Sequence, residues 1–174
     1  MQWANQIKLT DDWLVNAGVD WTDAKVKADI TDWSNKVIIN EGESRTSTGV
    51  YFGTQYQLEQ LKLEANTRFD KHDKYDEYTT WGVGVSYQIN DIYKVSTAYN
   101  TAFKAPSFYD LSTAPDLEPE KSKNIDVSLA AAYSLVDVNL SLYKNRVDNL
   151  IVYYDAPNFA GYSANVDADI KGAE

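Results

Sequence analysis

Trp81-Gly-Val-Gly-Val-Ser-Tyr-Gln-Ile89, then Asn90-Asp91, then Ile92-Tyr-Lys-Val-Ser-Thr-Ala-Tyr-Asn-Thr-Ala-Phe103 is the stretch that decides the fold. In its first half every second residue is Trp, Val, Val, Tyr or Ile, and the residues between are Gly, Gly, Ser and Gln. In its second half Tyr93, Val95, Thr97, Tyr99, Thr101 and Phe103 alternate with Lys94, Ser96, Ala98, Asn100 and Ala102. Period two means strand, because successive side chains point to opposite faces of a sheet. Asn90-Asp91 between two such runs predicts a tight two-residue hairpin link.

The pattern repeats along the chain. Trp13, Val15, Ala17, Val19 and Trp21 share one parity, as do Val50, Phe52, Tyr56 and Leu58. Leu61, Leu63, Ala65, Thr67 and Phe69 follow, then Ile125, Val127, Leu129, Ala131 and Tyr133, then Val136, Val138, Leu140 and Leu142. The connections alternate in length. Those at Asp11-Asp12, Glu59-Gln60, Asn90-Asp91 and Ser134-Leu135 are short; those around 25–45, 70–79, 105–121 and 155–164 are long and polar. Trp13, Tyr56, Tyr87, Tyr93 and Tyr133 stand near the short turns, and Trp21, Phe69, Trp81 and Phe103 near the long loops. Tyr93 to Phe103, at roughly 3.3 Å per residue and a tilt of about 45°, climbs on the order of 23 Å. Short turns at one end, long loops at the other and aromatic borders on one apolar face describe a transmembrane β-barrel wall. The expected class is therefore all-β: an antiparallel up-and-down transmembrane β-barrel, or a segment of one, of about eight to nine strands.

This parity makes a facing prediction. Val83, Val85, Tyr87, Val95, Tyr99, Val127, Leu129, Val138 and Leu140 should face lipid. Gln55, Asn66, Arg68, Ser86, Ser96, Asp126 and Asn139 should face the interior. The same alternation would also serve a small closed barrel or a soluble β-sandwich acting as a binding or structural module, with the apolar parity turned inward. Loop asymmetry and aromatic borders favour the membrane.

Composition removes other classes. The 174 residues carry a net charge of -10, which argues against nucleic-acid binding, and contain no cysteine, so there is no disulfide or thiolate site. No run of 18 apolar residues offers a membrane helix, and the mean hydropathy of -0.47 fits walls that are half apolar. No Gly-x-Ser-x-Gly elbow and no phosphate loop occurs. Gly82 and Gly84 sit mid-strand, where they would admit the close approach of another backbone. His72, the one histidine, lies near Asp70, Asp73 and Asp76. A metal site or His-Asp pair there is weighed against an exposed hydrophilic loop, and the loop is preferred because a lone His supplies no ligand spacing. No catalytic residue, metal or cofactor is expected, and the chain is not read as an enzyme.

Residues 101–126 carry a resemblance to a family. The element Phe103-Lys104-Ala105-Pro106 and the element Leu117-Glu118-Pro119-Glu120-Lys121-Ser122, at their spacing, resemble the barrel of TonB-dependent outer-membrane receptors. Tyr143-Lys-Asn-Arg-Val-Asp-Asn-Leu-Ile151 resembles the strand that follows, Ile170-Lys-Gly-Ala-Glu174 the start of the next, and Trp13–Asp20 also fits. Within the family the vitamin B12 (cobalamin) receptor group is most similar. The resemblance implies the bacterial outer membrane, uptake of cobalamin or a ferric chelate, and a large barrel of about 22 strands closed around a plug. Residues 1–10 have no basic start and no apolar core of a leader, and no plug-like segment is found. Residues 1–174 are thus expected to be a single internal barrel segment without a plug domain. Its expected partners are outer-membrane lipid and the rest of the receptor, namely plug and remaining strands. TonB would engage only through the plug, and the segment would not transport on its own.

Pro106 should end a strand, and Pro115 and Pro119 should keep the loop extended and prevent helix. Glu118, Glu120, Lys121 and Lys123 should form a solvated, weakly paired strand border. Ligand contact is expected from the long loops, through their aromatics Trp33, Phe108, Tyr109, Phe159 and Tyr162, since rings offer large contact area at low entropy cost.

Overall fold

A computed structural model of the chain describes residues 1–27, 29–31, 37–39, 41–75, 77–155 and 161–174. Its strands are β1 Gln2–Lys8, β2 Trp13–Lys25, β3 Ile30–Thr31, β4 Val37–Ile39, β5 Ser44–Leu58, β6 Leu61–His72, β7 Tyr78–Gln88, β8 Tyr93–Lys104, β9 Glu120–Ala132, β10 Asp137–Tyr154 and β11 Tyr162–Ala173, with one helix, α1 Phe108–Thr113. Nine strands form one antiparallel sheet in the order β1-β2-β5-β6-β7-β8-β9-β10-β11, while β3 and β4 make a separate hairpin in the long loop after β2. The sheet is open, with β1 and β11 as its edges. Every pairing in the large sheet is between strands that follow one another along the chain, apart from the separate β3–β4 pair between β2 and β5, as an up-and-down wall requires.

Register carries the apolar parity across the sheet. Trp13 faces Tyr56, which faces Leu63, then Val85, Thr97, Val127 and Leu142. Tyr87, Val95, Leu129 and Leu140 make a second such row. Residues on this face stay open: Val83, Val85, Val127, Leu129, Val138 and Leu140 are all 42–52% exposed. Among the described residues no second layer covers them, so the sandwich alternative, which needs that face buried, does not hold.

The opposite face is polar and low. Asn16, Gly53, Asn66, Gly82, Asn100, Asn124 and Asn145 form one continuous row across seven strands. Gln55, Asn66, Arg68, Ser86, Ser96, Asp126 and Asn139 all lie on this face, as their parity predicts. Arg68 there donates to Asp20 (2.8 and 3.0 Å) and to Asp70 (2.7 and 2.8 Å). A Cβ added at Gly82 would collide with the Asn100 side chain and crowd Asn66. Within the described sheet, the close approach at Gly82 is that of cross-strand side chains.

The short turns differ in kind. Leu58 pairs with Leu61, leaving Glu59-Gln60 as a two-residue turn with Glu59 at φ 49°. The β7–β8 link is one residue longer than expected. Gln88 pairs with Lys94 and the Ile89 amide donates to the Tyr93 carbonyl (2.9 Å), so Asn90-Asp91-Ile92 forms the loop. The reason is the Asn90 side chain: its Oδ1 accepts from the Ile92 amide (3.0 Å) and the Tyr93 amide (2.9 Å), a local turn the pleat period does not reveal. The β1–β2 turn repeats the pattern, with the Leu9 amide donating to the Trp13 carbonyl at 2.8 Å. Aromatics brace this end. Trp13 and Tyr56 meet edge-on at 6.2 Å, and the Tyr93 and Tyr133 hydroxyls share a hydrogen bond of 2.8 Å.

Three features depart from the sequence reading. β1 is a full strand ahead of Trp13. Ile170–Glu174 is the end of β11, which starts at Tyr162, and not the start of a strand. And the 105–119 loop contains α1 in spite of Pro115 and Pro119. A proline blocks helix at itself and at the residue before it; α1 closes at Thr113, and Ala114 is already extended (φ -148°, ψ 90°). Ser107 starts it: its hydroxyl accepts from the Asp110 amide, and the Asp110 carboxylate accepts from the Ser107 amide, a reciprocal capping box.

Candidate ligand-contact surface on the long-loop side

Apart from Ala131 and the wall glycines, the buried residues described gather toward the long-loop side, in the upper parts of the strands and the loops beyond them. Pro106 is fully buried, Ser163 is 2% exposed, Ile39 2%, Val147 6% and Leu117 7%. They mark a cap in which α1 packs against β4 and β11. Ser163 Oγ donates to Asp110 Oδ1 (3.2 Å), and the Ser163 amide reaches Thr113 Oγ1 (3.4 Å), which fastens the helix to β11.

The Asp110 carboxyl lies below the usual aspartate range. Burial opposes this, and the hydrogen bonds from Ser107 and Ser163, with the Lys104 charge, outweigh it. The Tyr75 hydroxyl shifts the other way: burial raises it, Arg45 partly offsets this, and Tyr78 and Asp110 add to the rise.

A second clasp holds the end of the same loop. Asn165 Nδ2 donates to the carbonyls of Glu118 (2.9 Å) and Asn149 (2.8 Å), while its Oδ1 accepts from the Glu118 amide (2.9 Å). Asn149 Nδ2 donates to the Glu118 carboxylate at 2.8 Å. Asn149 can do so because β10 bulges between Val147 and Leu150, with Asn149 left-handed at φ 61°. The expected weakly paired border is thus a specific clasp at Glu118. Glu120 likewise accepts from Lys104 Nζ (2.9 Å) and the Ile151 amide (3.1 Å). Lys121 rests with Nζ 5.3 Å from the Tyr78 ring.

Beside α1 opens a cleft of about 520 Å³ lined by Glu43, Lys74, Tyr75, Phe108, Leu111, Ser112 and Pro115. Arg45 underlies it. Its Nη1 donates to the Pro106 carbonyl (2.7 Å), and the guanidinium lies 4.9 Å from the Phe108 ring centre and 5.6 Å from that of Tyr75. Lys74 Nζ also approaches Phe108, at 5.8 Å from the ring centre. This is a ring-and-cation surface able to hold flat, polarisable or anionic groups.

The sequence-predicted aromatics separate. Phe108 lines the cleft. Tyr109 turns away toward Tyr153 (6.4 Å between rings), and Tyr162 stacks on Tyr154 (5.6 Å, 26°). Trp33 and Phe159 lie outside the described residues. Sequence reasoning missed Arg45, Tyr75, Tyr153 and Tyr154. Tyr75 could have been found, since it is an aromatic in the 70–79 loop; Arg45 could not, because only the fold brings it to Phe108. His72 is half-buried and not in an exposed loop, its ring 5.5 Å from Phe103, which in turn stacks on Tyr78 at 3.8 Å. The aspartates named with it serve elsewhere: Asp70 binds Arg68, Asp73 accepts from the Thr46 amide (2.8 Å), and Asp76 lies outside the described residues. Of the two family elements, Phe103, Lys104, Ala105 and Pro106 carry β8 into the cap, and Leu117, Pro119, Glu120, Lys121 and Ser122 carry the chain back into β9.

A sheet with one open apolar face, aromatic borders, short turns below and a loop cap above is a wall of transmembrane β-strands. Residues 2–174 match the family described as TonB dependent receptor-like, beta-barrel, and the chain belongs to that family, whose members reside in the outer membrane. It is 38% identical over its whole length to the vitamin B12 transporter BtuB of Vibrio vulnificus, of which it spans 28%. It is 34% identical to the vitamin B12 transporter BtuB of Photobacterium profundum, in a match covering 99% of this chain and 29% of that protein. The fold also matches the copper transporter OprC (TM-score 0.80, 15% identity, 99% of this chain and 33% of that one). It matches the siderophore receptor PirA of Pseudomonas aeruginosa as well (TM-score 0.80, 17% identity, 99% and 34%). The chain therefore spans less than a third of the length of the curated relatives it matches.

Proposed function

We propose that residues 1–174 form one stretch of wall and loop cap in a receptor that takes up cobalamin. The observation that carries the reading is likeness to vitamin B12 transporters along the entire chain, 38% in one case. The ferric-chelate reading has the fold of PirA behind it and much lower identity. In this reading the apolar face meets outer-membrane lipid, the polar face lines the interior, and a plug and further strands complete the barrel. Coupling to TonB runs through the plug, so residues 1–174 by themselves contribute capture and containment and no energised transport. The relatives are transporters, and the chain's role is that of a transporter wall and not of a catalyst.

The cap supplies the ligand contacts: Phe108, Arg45 and Tyr75 in the cleft and Tyr109 and Tyr162 on the two tyrosine pairs, and Trp33 and Phe159, outside the described residues, are included from the sequence. Titration of the complete receptor with cobalamin and with a ferric siderophore tests this. Alanine at Trp33, Phe108, Tyr109, Phe159 and Tyr162 together should weaken cobalamin binding at least tenfold. Unchanged affinity removes the loop-contact assignment and leaves the segment as wall, and preference for the siderophore removes the cobalamin assignment.

A further inference from the structure

The hydrogen bonds of the cap close around most of its polar groups, with a shortfall in one place. Arg45 commits Nη1 to the Pro106 carbonyl (2.7 Å), but its Nε and Nη2 are shut off from solvent and donate to nothing. The Tyr75 hydroxyl is shut off and unpartnered as well, and the Arg45 guanidinium carbon lies 5.6 Å from the Tyr75 ring centre. So is Nδ1 of His72, whose ring meets that of Tyr75 edge-on at 6.5 Å. Four of the five buried side-chain atoms without a partner among the described residues therefore belong to this one cluster. Folded interiors seldom leave such atoms unmade, because each has lost its water and received nothing in exchange.

The cluster has the chemistry of a donor site. Nε and Nη2 share one edge of the guanidinium, the edge that grips an acceptor through two parallel N–H groups. Phe108, its ring centre 4.9 Å from the guanidinium carbon, and Tyr75 cover the group with rings. Burial raises the Tyr75 hydroxyl, so it keeps its hydrogen and can donate. The neutral His72 imidazole can carry its hydrogen on Nδ1. The carboxylates nearby serve other donors: Asp110 accepts from Ser107 and Ser163, and Asp73 from the Thr46 amide. Glu43 lines the cleft, and neither it nor any other group accepts from Arg45 Nε or Nη2. A second cation crowds the same ring, with Lys74 Nζ 5.8 Å from the centre of Phe108.

We propose that one small inorganic anion of the halide class sits against the Nε–Nη2 edge of Arg45, beneath Phe108 and beside the Tyr75 hydroxyl. Size follows from burial, since these atoms have no contact with solvent and a group of several heavy atoms would have to part the rings. A halide accepts from any direction and brings no hydrogen of its own. A water would bring two and leave the guanidinium charge unanswered. The anion ties Arg45 on β5 to Tyr75 in the β6–β7 loop and, through Arg45, to the Pro106 carbonyl ahead of α1. Three segments far apart in sequence are thus held at one point, and the floor of the cleft is set before any ligand arrives. The proposal stands on the cap alone, so it and the cobalamin reading fail separately.

The test uses the complete receptor and two readouts. The first is amide exchange over 107–114 in sodium bromide, chloride or gluconate at equal ionic strength. Gluconate is too large for the enclosure. Bromide and chloride should slow exchange there saturably, by roughly tenfold at about ten times the dissociation constant, with wall amides unchanged. The second is anomalous diffraction from crystals grown in bromide, which should place a peak at the Arg45 edge. Arg45→Gln should abolish both signals. Where that variant fails to fold, Tyr75→Phe should weaken the halide response several-fold and Lys71→Gln should leave it untouched. Equal exchange in bromide and gluconate, with no peak at Arg45, overturns the proposal in favour of water. A full response in Arg45→Gln or Tyr75→Phe overturns it too. So does a response that emerges only in Asp76→Asn, which would make that carboxylate the occupant.

Discussion

Between Trp13 and Leu58 the paired wall strands leave their apolar side chains nearly half exposed, whereas at the long-loop side Pro106, Leu117 and, at the start of β11, Ser163 are almost closed off from solvent. The wall has two faces and no core of its own. Its order comes from backbone ladders and from whatever covers the apolar face. The cap is built the other way, from a few buried side chains and side-chain hydrogen bonds that tie a short helix and a loop to β10 and β11. The wall should therefore respond to its surroundings, lipid above all, and the cap to single side chains.

The largest effect should come from charging the wall. Val85→Arg, at mid-band on the apolar face, should cost about 2–4 kcal/mol in equilibrium unfolding from a bilayer, and Ser86→Arg on the polar face much less. Equal costs would mean the two faces do not differ in environment. Spin labels at 83, 85 and 95 should be protected from water and reached by lipid-soluble quenchers, and labels at 86 and 96 the reverse.

In the cap, Asp110→Ala removes the capping box and the link to Ser163. About 1–2 kcal/mol of local stability should disappear, read as faster amide exchange over 107–114 with wall amides unchanged. A uniform rise in exchange across the sheet would erase the distinction between wall and cap. The pH dependence carries a sign. The folded Asp110 carboxyl lies below its unfolded value, so its contribution is complete above about pH 4 and is lost as pH falls through the folded value. Exchange over 107–114 should hold level between about pH 5 and pH 7, after correction for intrinsic rates, and rise only in acid. The smallest effect is expected from Asn165→Ala, about 0.5–1.5 kcal/mol, confined to residues 117–120 and the β10 bulge.

The same division governs what can be read in advance. Strand identity, facing and the alternation of turn and loop follow from period two, because in a wall each side chain's environment depends on its parity alone. Departures in the wall are local: Asn90 reshapes a turn through its own side chain, and β1 carries too few apolar residues to show its period. The cap is opaque for a different reason. Arg45 meets Phe108, and Asp110 meets Ser163, across long sequence separations that no local pattern records. The helix over 108–113 is legible in Ser107 and Asp110, and is obscured only by giving Pro115 a reach that a proline does not have.

The glycines of the polar face have a consequence for the space in front of it. A Cβ at Gly18 would strike the Tyr51 ring, at Gly53 the Asn16 amide, at Gly82 that of Asn100 and at Gly172 the Tyr143 ring. In each case the large side chain belongs to the directly opposite residue and lies flat in the gap its glycine leaves. Rings and amides that would otherwise stand upright are laid down along the wall, so its relief is shallow. Clearance inside the barrel is then set by the backbone cylinder more than by the side chains upon it. Gly18→Val or Gly172→Val would stand a tyrosine up and narrow the bore at that height without changing a single strand.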